Sequence, residues 1–242
     1  MSYHLGALSL REHLPASVPA VVVERGEIVV AAVASAWGAW SGLDAEVPAV
    51  EAAIETLLER AESPPLWDSA LRDAFHAATH RLDSLPITPI NEELGLYPCT
   101  SLACAVVTPK GIWVGWTGGV VACVIQRAQI LRETVPHTLF AEFEELKNKE
   151  YPGGLRDTIA RGVGSSRDTQ SDPDIVCWPP LEPNSRLLLA QFRLVKMLRF
   201  SLPQDTIHGE QWLREALSIN TTRNVDGQLE FGDRVGLIVE HS

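Results

Sequence analysis

Positive charge is scarce in this sequence: 20 lysines and arginines stand against 31 aspartates and glutamates, for a formal net charge of −11 and a pI of about 5.1. Nucleic acids and anionic membranes are bound by basic footprints, so this balance excludes both as expected partners and predicts a solvated acidic surface. Long apolar runs are missing as well. Nothing approaches the ~18 consecutive apolar residues of a spanning helix, and no basic segment precedes an apolar run across Met1–Pro15. Neither a membrane anchor nor a signal peptide is expected, and the expected compartment is the cytoplasm. Cysteine is sparse too. Cys99, Cys104, Cys123 and Cys177 form no CxxC pair and lie in or beside apolar stretches, which excludes a zinc ribbon or a disulfide framework and reads as reduced core packing.

Against those absences stands an ordinary globular composition, 45% hydrophobic and 21% charged over 242 residues, which predicts one domain, residues 1–242, with a core of good size. Its densest apolar stretch is Ser101 to Arg127. Two strands are predicted there, Leu102–Val107 and Ile112–Ile125, joined by the turn Pro109-Lys110-Gly111; the second is broken by Thr117-Gly118-Gly119. Strands apolar at nearly every position must be covered on both faces. Paired glycines inside such a strand mark a bend or a close approach of another group.

Upstream, Ala20–Val23 and Glu27–Val33 form a predicted hairpin around Arg25-Gly26. Val47–Ser63 and Pro65–Leu82 each carry apolar residues at helical spacing, predicting an amphipathic covering pair. His76 and His80, four apart on the second helix, lack an HExxH signature and read as a solvated face. Leu85–Pro98, with three prolines, is read as a loop. Leu139, Phe140, Phe143 and Leu146 mark an acidic helix that ends before Pro152-Gly153-Gly154.

Taken together, these stretches resemble the metal-dependent serine/threonine phosphatases of the PP2C type. Thr100-Ser101-Leu102-Ala103 and Thr117-Gly118-Gly119-Val120 follow that family's central TTxxxA and VGDSRA hairpin. Ala34-Ser35-Ala36 follows VADG, and Leu131 to His137 follows LTxDH. Thr158 to Gly164, Asp172 to Ile175 and Leu181 to Leu189 follow TRALG, xPDI and LxPGDRLLL. The resemblance covers the whole chain. It implies an α+β fold, a four-layer αββα sandwich of two central antiparallel β-sheets flanked by helix pairs, with a flap at about 138–156.

The same resemblance implies a dismantled metal site. The family's metal-ligand positions fall on Ala16, Ser35, Ala36, Gly119, Phe192 and Asp233, and of these only Asp233 is a carboxylate. Hard divalent cations require anionic oxygens, so no metal, no other cofactor and no catalytic residue is expected. The reading is a pseudophosphatase, a protein-binding or regulatory module in serine/threonine phosphorylation signalling whose partner is a kinase, a phosphoprotein or an active phosphatase. The alternative is an active protein phosphatase or other phosphohydrolase with a rebuilt metal site. Asp44, Glu46 and Asp174 are the nearest carboxylates in sequence for that purpose, each with an ordinary surface reading. Arg11 falls on the family's phosphate-contact position, and Arg193 and Arg234 adjoin former ligand positions, making these three the candidate anion-binding residues. The competing expectation is a cleft filled by Trp37, Trp40 and Phe192. His137 is read as inherited structure with no acidic partner beside it.

Overall fold

A computed structural model describes residues 3–10, 19–36, 45–61, 66–87, 91, 93, 97–143, 158–164, 172–199, 202–203, 209–218 and 234–241. Eleven strands and five helices are defined there. The strands are β1 (Tyr3–Leu10), β2 (Ala20–Arg25), β3 (Ile28–Ala36), β4 (Cys99–Thr108), β5 (Gly111–Thr117), β6 (Val120–Gln126), β7 (Gln129–Glu133), β8 (Val163–Gly164), β9 (Asp174–Trp178), β10 (Ser185–Gln191) and β11 (Arg234–His241). The helices are α1 (Glu46–Arg60), α2 (Trp67–Asp83), α3 (Leu139–Glu142), α4 (Phe192–Leu198) and α5 (Gly209–Ser218).

All strand pairs are antiparallel, in two sheets ordered β1-β11-β10-β6-β7 and β2-β3-β4-β5-β9, with β8 attached to β4. Side chains alternate across a strand, so a strand that is apolar throughout serves two cores at once. Val29, Ala31 and Val33 of β3 and Ala103, Ala105 and Val107 of β4 face inward, against Val120, Ala122, Leu187, Leu189 and Leu237 of the other sheet. The intervening residues Val30, Ala32, Leu102, Cys104 and Val106 face outward under α1 and α2, meeting Ala53, Leu57, Leu71 and Phe75. On the far side Val121, Cys123, Leu188 and Ile238 are covered by α4 and α5 through Leu194, Val195, Trp212 and Leu213. The four layers are those the sequence predicts.

Several local expectations are corrected. Ile112–Ile125 is two strands in different sheets, because the chain leaves the first sheet at Thr117 and joins the second at Val120. The first hairpin turns on Gly26-Glu27, one residue later than expected, with Gly26 in the left-handed region at φ +63°. Asn91 and Glu93, in the stretch read as a loop, are helical. The acidic helix beginning at Leu139 is a single turn among the described residues, and Phe143 is extended and exposed. Cys177 is exposed, whereas Cys99, Cys104 and Cys123 are buried; all four are free thiols, and burial pushes Cys99 up to about 11. His76 is exposed and meets Asp172 at 3.1 Å, His80 is exposed, and no cluster able to hold a metal is found among the described residues.

The step between sheets has a steric requirement. Gly118 adopts φ +84°, and a Cβ there would lie 2.3 Å from Ser101 Oγ and 3.0 Å from the Arg161 carbonyl oxygen. Gly26 has a similar φ with nothing within 4 Å of its would-be Cβ. Gly26→Ala should therefore cost about 1 kcal/mol, the strain of a left-handed L-residue alone, and Gly118→Ala about 3 kcal/mol, because collision adds to strain. Urea denaturation of the two variants checks this, and equal losses would contradict a tightly packed bend.

Candidate functional site

Four strand ends converge beside the Gly118-Gly119 bend. At the end of β3, Ser35 and Ala36 pair with Ser101 and Thr100 at the start of β4, and Thr100 Oγ1 donates to the Ser35 carbonyl at 2.8 Å. Ser101 Oγ accepts the Gly119 N–H at 2.8 Å. Gln191 closes β10 opposite Val120, and its side-chain amide donates to Ser35 Oγ in a close contact. Phe192 then opens α4, its N–H donating to the Gly119 carbonyl at 2.9 Å. Three of the positions read from sequence as former ligand positions, Ser35, Gly119 and Phe192, are thus brought together.

Among the described residues, these three positions carry no carboxylate. Phe192 and Ser35 are buried, and a Cβ added to Gly119 would meet Ile159 Cδ1 at 2.7 Å and Phe192 Cδ1 at 3.4 Å. Ile159 arrives from the far side of the flap, held by a bridge to Thr138 and by the Leu139 N–H donating to the Thr158 carbonyl at 2.9 Å. The metal pair of the family does not fit these three positions: the hydroxyl of Ser35 is engaged by an amide, and the other two positions offer only a glycine and a benzyl side chain. Phe192, expected from sequence to fill the cleft together with Trp37 and Trp40, is buried in the cluster with Val121, Leu194 and Val195, and the two tryptophans lie outside the described residues. Ile159 and Gln191 were not foreseen, although Gln191 directly precedes a predicted site residue.

Of the remaining site residues, Ala16, Asp233 and Arg11 lie outside the described residues, as do Trp37, Trp40 and Asp44. Ala36 pairs with Thr100, and Arg234 opens β11 opposite Leu10. Arg193 is exposed on α4, next to buried Phe192. Glu46, given a surface reading from sequence, is buried.

His137 departs most from expectation, because an acidic partner does stand beside it. The ring is buried; Nδ1 accepts the Gly118 N–H at 3.0 Å, and Nε2 lies 3.2 Å from Asp174 Oδ2. A nitrogen that accepts from an amide carries a lone pair, so the ring proton resides on Nε2 and points to Asp174. Trp116 stacks on the imidazole, with centroids 5.9 Å apart at 12°. Burial lowers the His137 pKa from its ordinary value and the Arg161 guanidinium lowers it further, against the opposing pull of Asp174 and Glu142. Arg161 itself bridges Asp174 at 3.3 Å and Glu142 at 3.0 Å. Asp174 thus contacts both His137 and Arg161. A cleft of about 380 Å³ lined by Arg72, Trp116, Arg161, Asp172 and Asp174 opens this network to solvent.

No protein-family model matches the chain, and no curated protein matches its sequence. Solved structures do match it. The S. agalactiae serine/threonine phosphatase superposes with a TM-score of 0.70 at 14% identity, covering 100% of each chain. The chain has the PP2C phosphatase fold. Two further PP2C-fold relatives agree: the Mycobacterium tuberculosis phosphatase PstP/Ppp (TM-score 0.62, 15% identity, 99% of each chain), and PppA of Pseudomonas aeruginosa, described as a key regulatory component of T6SS (0.64, 17%, 99% of this chain and 98% of that one).

Restoring carboxylates in this PP2C-fold chain means placing charge in a filled, neutral space. Gly119→Asp combined with Phe192→Asp should lower stability by about 4 kcal/mol or more, since two carboxylates replace a glycine and a buried apolar ring and the first must displace the Ile159 terminal methyl. Thermal melting in metal-free buffer reads the loss, and a double variant as stable as the parent would contradict the packing described.

Proposed function

We propose that this protein is a catalytically inactive member of the PP2C fold, a pseudophosphatase that acts as a cytoplasmic protein-binding or regulatory module in serine/threonine phosphorylation signalling. One observation carries the reading: Ser35, Gly119 and Phe192 meet as neutral groups bonded through Gln191 and backbone and plugged by Ile159, where the family's chemistry calls for carboxylates around two cations. PppA supplies a precedent for a regulatory protein built on this fold.

A kinase, a phosphoprotein or an active phosphatase is the expected partner class. Arg193, exposed on α4 beside the filled cleft, is one candidate contact for a phosphoryl group, with Arg234 at the head of β11 and Arg11 as the others.

The test is hydrolysis of a phosphoserine peptide across a manganese titration, with binding of the same peptide measured in metal-free buffer. No turnover above buffer is expected at any manganese concentration. Turnover that saturates with manganese would contradict inactivity and favour a rebuilt site. Peptide binding that weakens about tenfold in Arg193→Ala supports the anion-reading cleft; affinity that is absent or unchanged moves the partner surface to the helices or the flap.

A further inference from the structure

The crossover, the segment before β8, β5 and β9 meet at His137. Its backbone N–H donates to the Gly118 carbonyl at 2.9 Å, and its carbonyl accepts from the Ala160 N–H at 2.8 Å. Its ring accepts from the Gly118 N–H and faces Asp174. One residue therefore ties the crossover between sheets to both sides of the flap root and to β9. The charged and titratable groups facing it are Asp174 from β9, Arg161 ahead of β8, and Glu142 from α3; β5 contributes the uncharged Trp116.

The arrangement holds only for neutral imidazole. Nε2 already carries a proton, so an added proton must go to the Nδ1 lone pair, the one that accepts from Gly118. Two N–H groups then oppose each other across a 3.0 Å separation and that hydrogen bond is lost. Asp174 keeps its contact with Nε2–H and attracts the new charge, so the imidazolium has reason to tilt toward the cleft and away from Gly118. The Gly119 N–H, held by Ser101 Oγ, and the Phe192 N–H, held by the Gly119 carbonyl, lie next along the chain of contacts. Because the cleft lined by Trp116 and Asp174 reaches solvent, protons need no global unfolding to arrive.

We propose that His137 is a proton-operated latch: as neutral imidazole it holds the Gly118-Gly119 bend against the flap root, and protonation at Nδ1 opens the two from each other. The lowered pKa fixes the direction and the window. Unfolded His137 protonates near 6.5 and the folded residue only at lower pH, so stabilisation is complete above 6.5 and is lost as pH falls through the folded value. The latch stands apart from the binding role proposed above, and its test reads backbone opening, not partner affinity.

The experiment is an NMR titration of the full chain from about pH 8 to about pH 5, following the His137 ring nitrogens together with amide-exchange protection factors. Nδ1 should be unprotonated at the start, with a midpoint below 6.5. Protection of the Gly118 and Gly119 amides should fall at least about tenfold through that midpoint, and further than that of Ala31 and Cys104 in the central strands, which follow only the change in global stability. His137→Asn leaves an acceptor near the Nδ1 position and cannot titrate in this range, so it should abolish the response. Should that variant fail to fold, Asp174→Asn decides, because removing the carboxylate must move the midpoint to lower pH. The latch is overturned by an Nδ1 already protonated at pH 8, by flat Gly118 and Gly119 protection while His137 titrates, by central-strand protection falling as far as theirs, or by an Asp174→Asn midpoint that does not move.

Discussion

At Gly118 and Gly119 the chain passes from one sheet of the sandwich to the other, and nearly everything at the site follows from how that passage is held. The approach of Ser101 Oγ and the Arg161 carbonyl leaves no room for a side chain at the first glycine, and at the second a side chain would have to displace the terminal methyl of Ile159. Each freed backbone group then needs a partner, since a buried unpaired N–H or carbonyl is costly. Ser101, His137 and Phe192 supply them. Because β5 and β6 are committed to opposite sheets, the bend joins the inner core to both outer ones, and the flap root packs against it through Ile159.

Electrostatics explains why the site is neutral as a set. Carboxylates held a few ångströms apart without a cation repel by about 4 kcal/mol per close pair at an effective dielectric near 20. A fold that does not hold metal there is more stable with hydroxyl, amide and apolar groups in contact. Under the proposed inactive reading, the Gln191 amide on Ser35 Oγ and the Phe192 ring beside Gly119 and Ile159 are that solution. Lys196 Nζ lies over the Phe192 ring, 4.9 Å from its centroid, a cation–π contact.

The layers were legible in the sequence because they rest on local pattern. Apolar residues at nearly every position of β4 and β6 announced coverage on both faces, the helical spacing of Ile54 with Leu57 and of Leu71 with Phe75 announced the helix pair, and two adjacent glycines announced the break. Elements with weaker patterns were not foreseen. β1 alternates only through Tyr3, Leu5 and Ala7 and β7 is a polar edge strand, whereas α5 was not foreseen although Trp212, Leu213 and Ala216 give it a clear apolar face. The contacts that define the site were the least legible. Asp174 meets His137 across 37 residues and Gln191 meets Ser35 across 156. No periodicity encodes such pairs; the sheet register creates them. Buried Glu46 and exposed Cys177 likewise depend on tertiary surroundings rather than on residue type.

The account turns on the space among Ser35, Gly119 and Phe192 being closed to a divalent cation, and anomalous diffraction from a manganese-soaked crystal observes that space directly. The account predicts no anomalous peak within coordination distance of Ser35 Oγ, the Gly119 carbonyl or the Phe192 ring, with the Gln191–Ser35 contact intact. A manganese peak there, with Gln191 displaced and carboxylates drawn in around the ion, would contradict it.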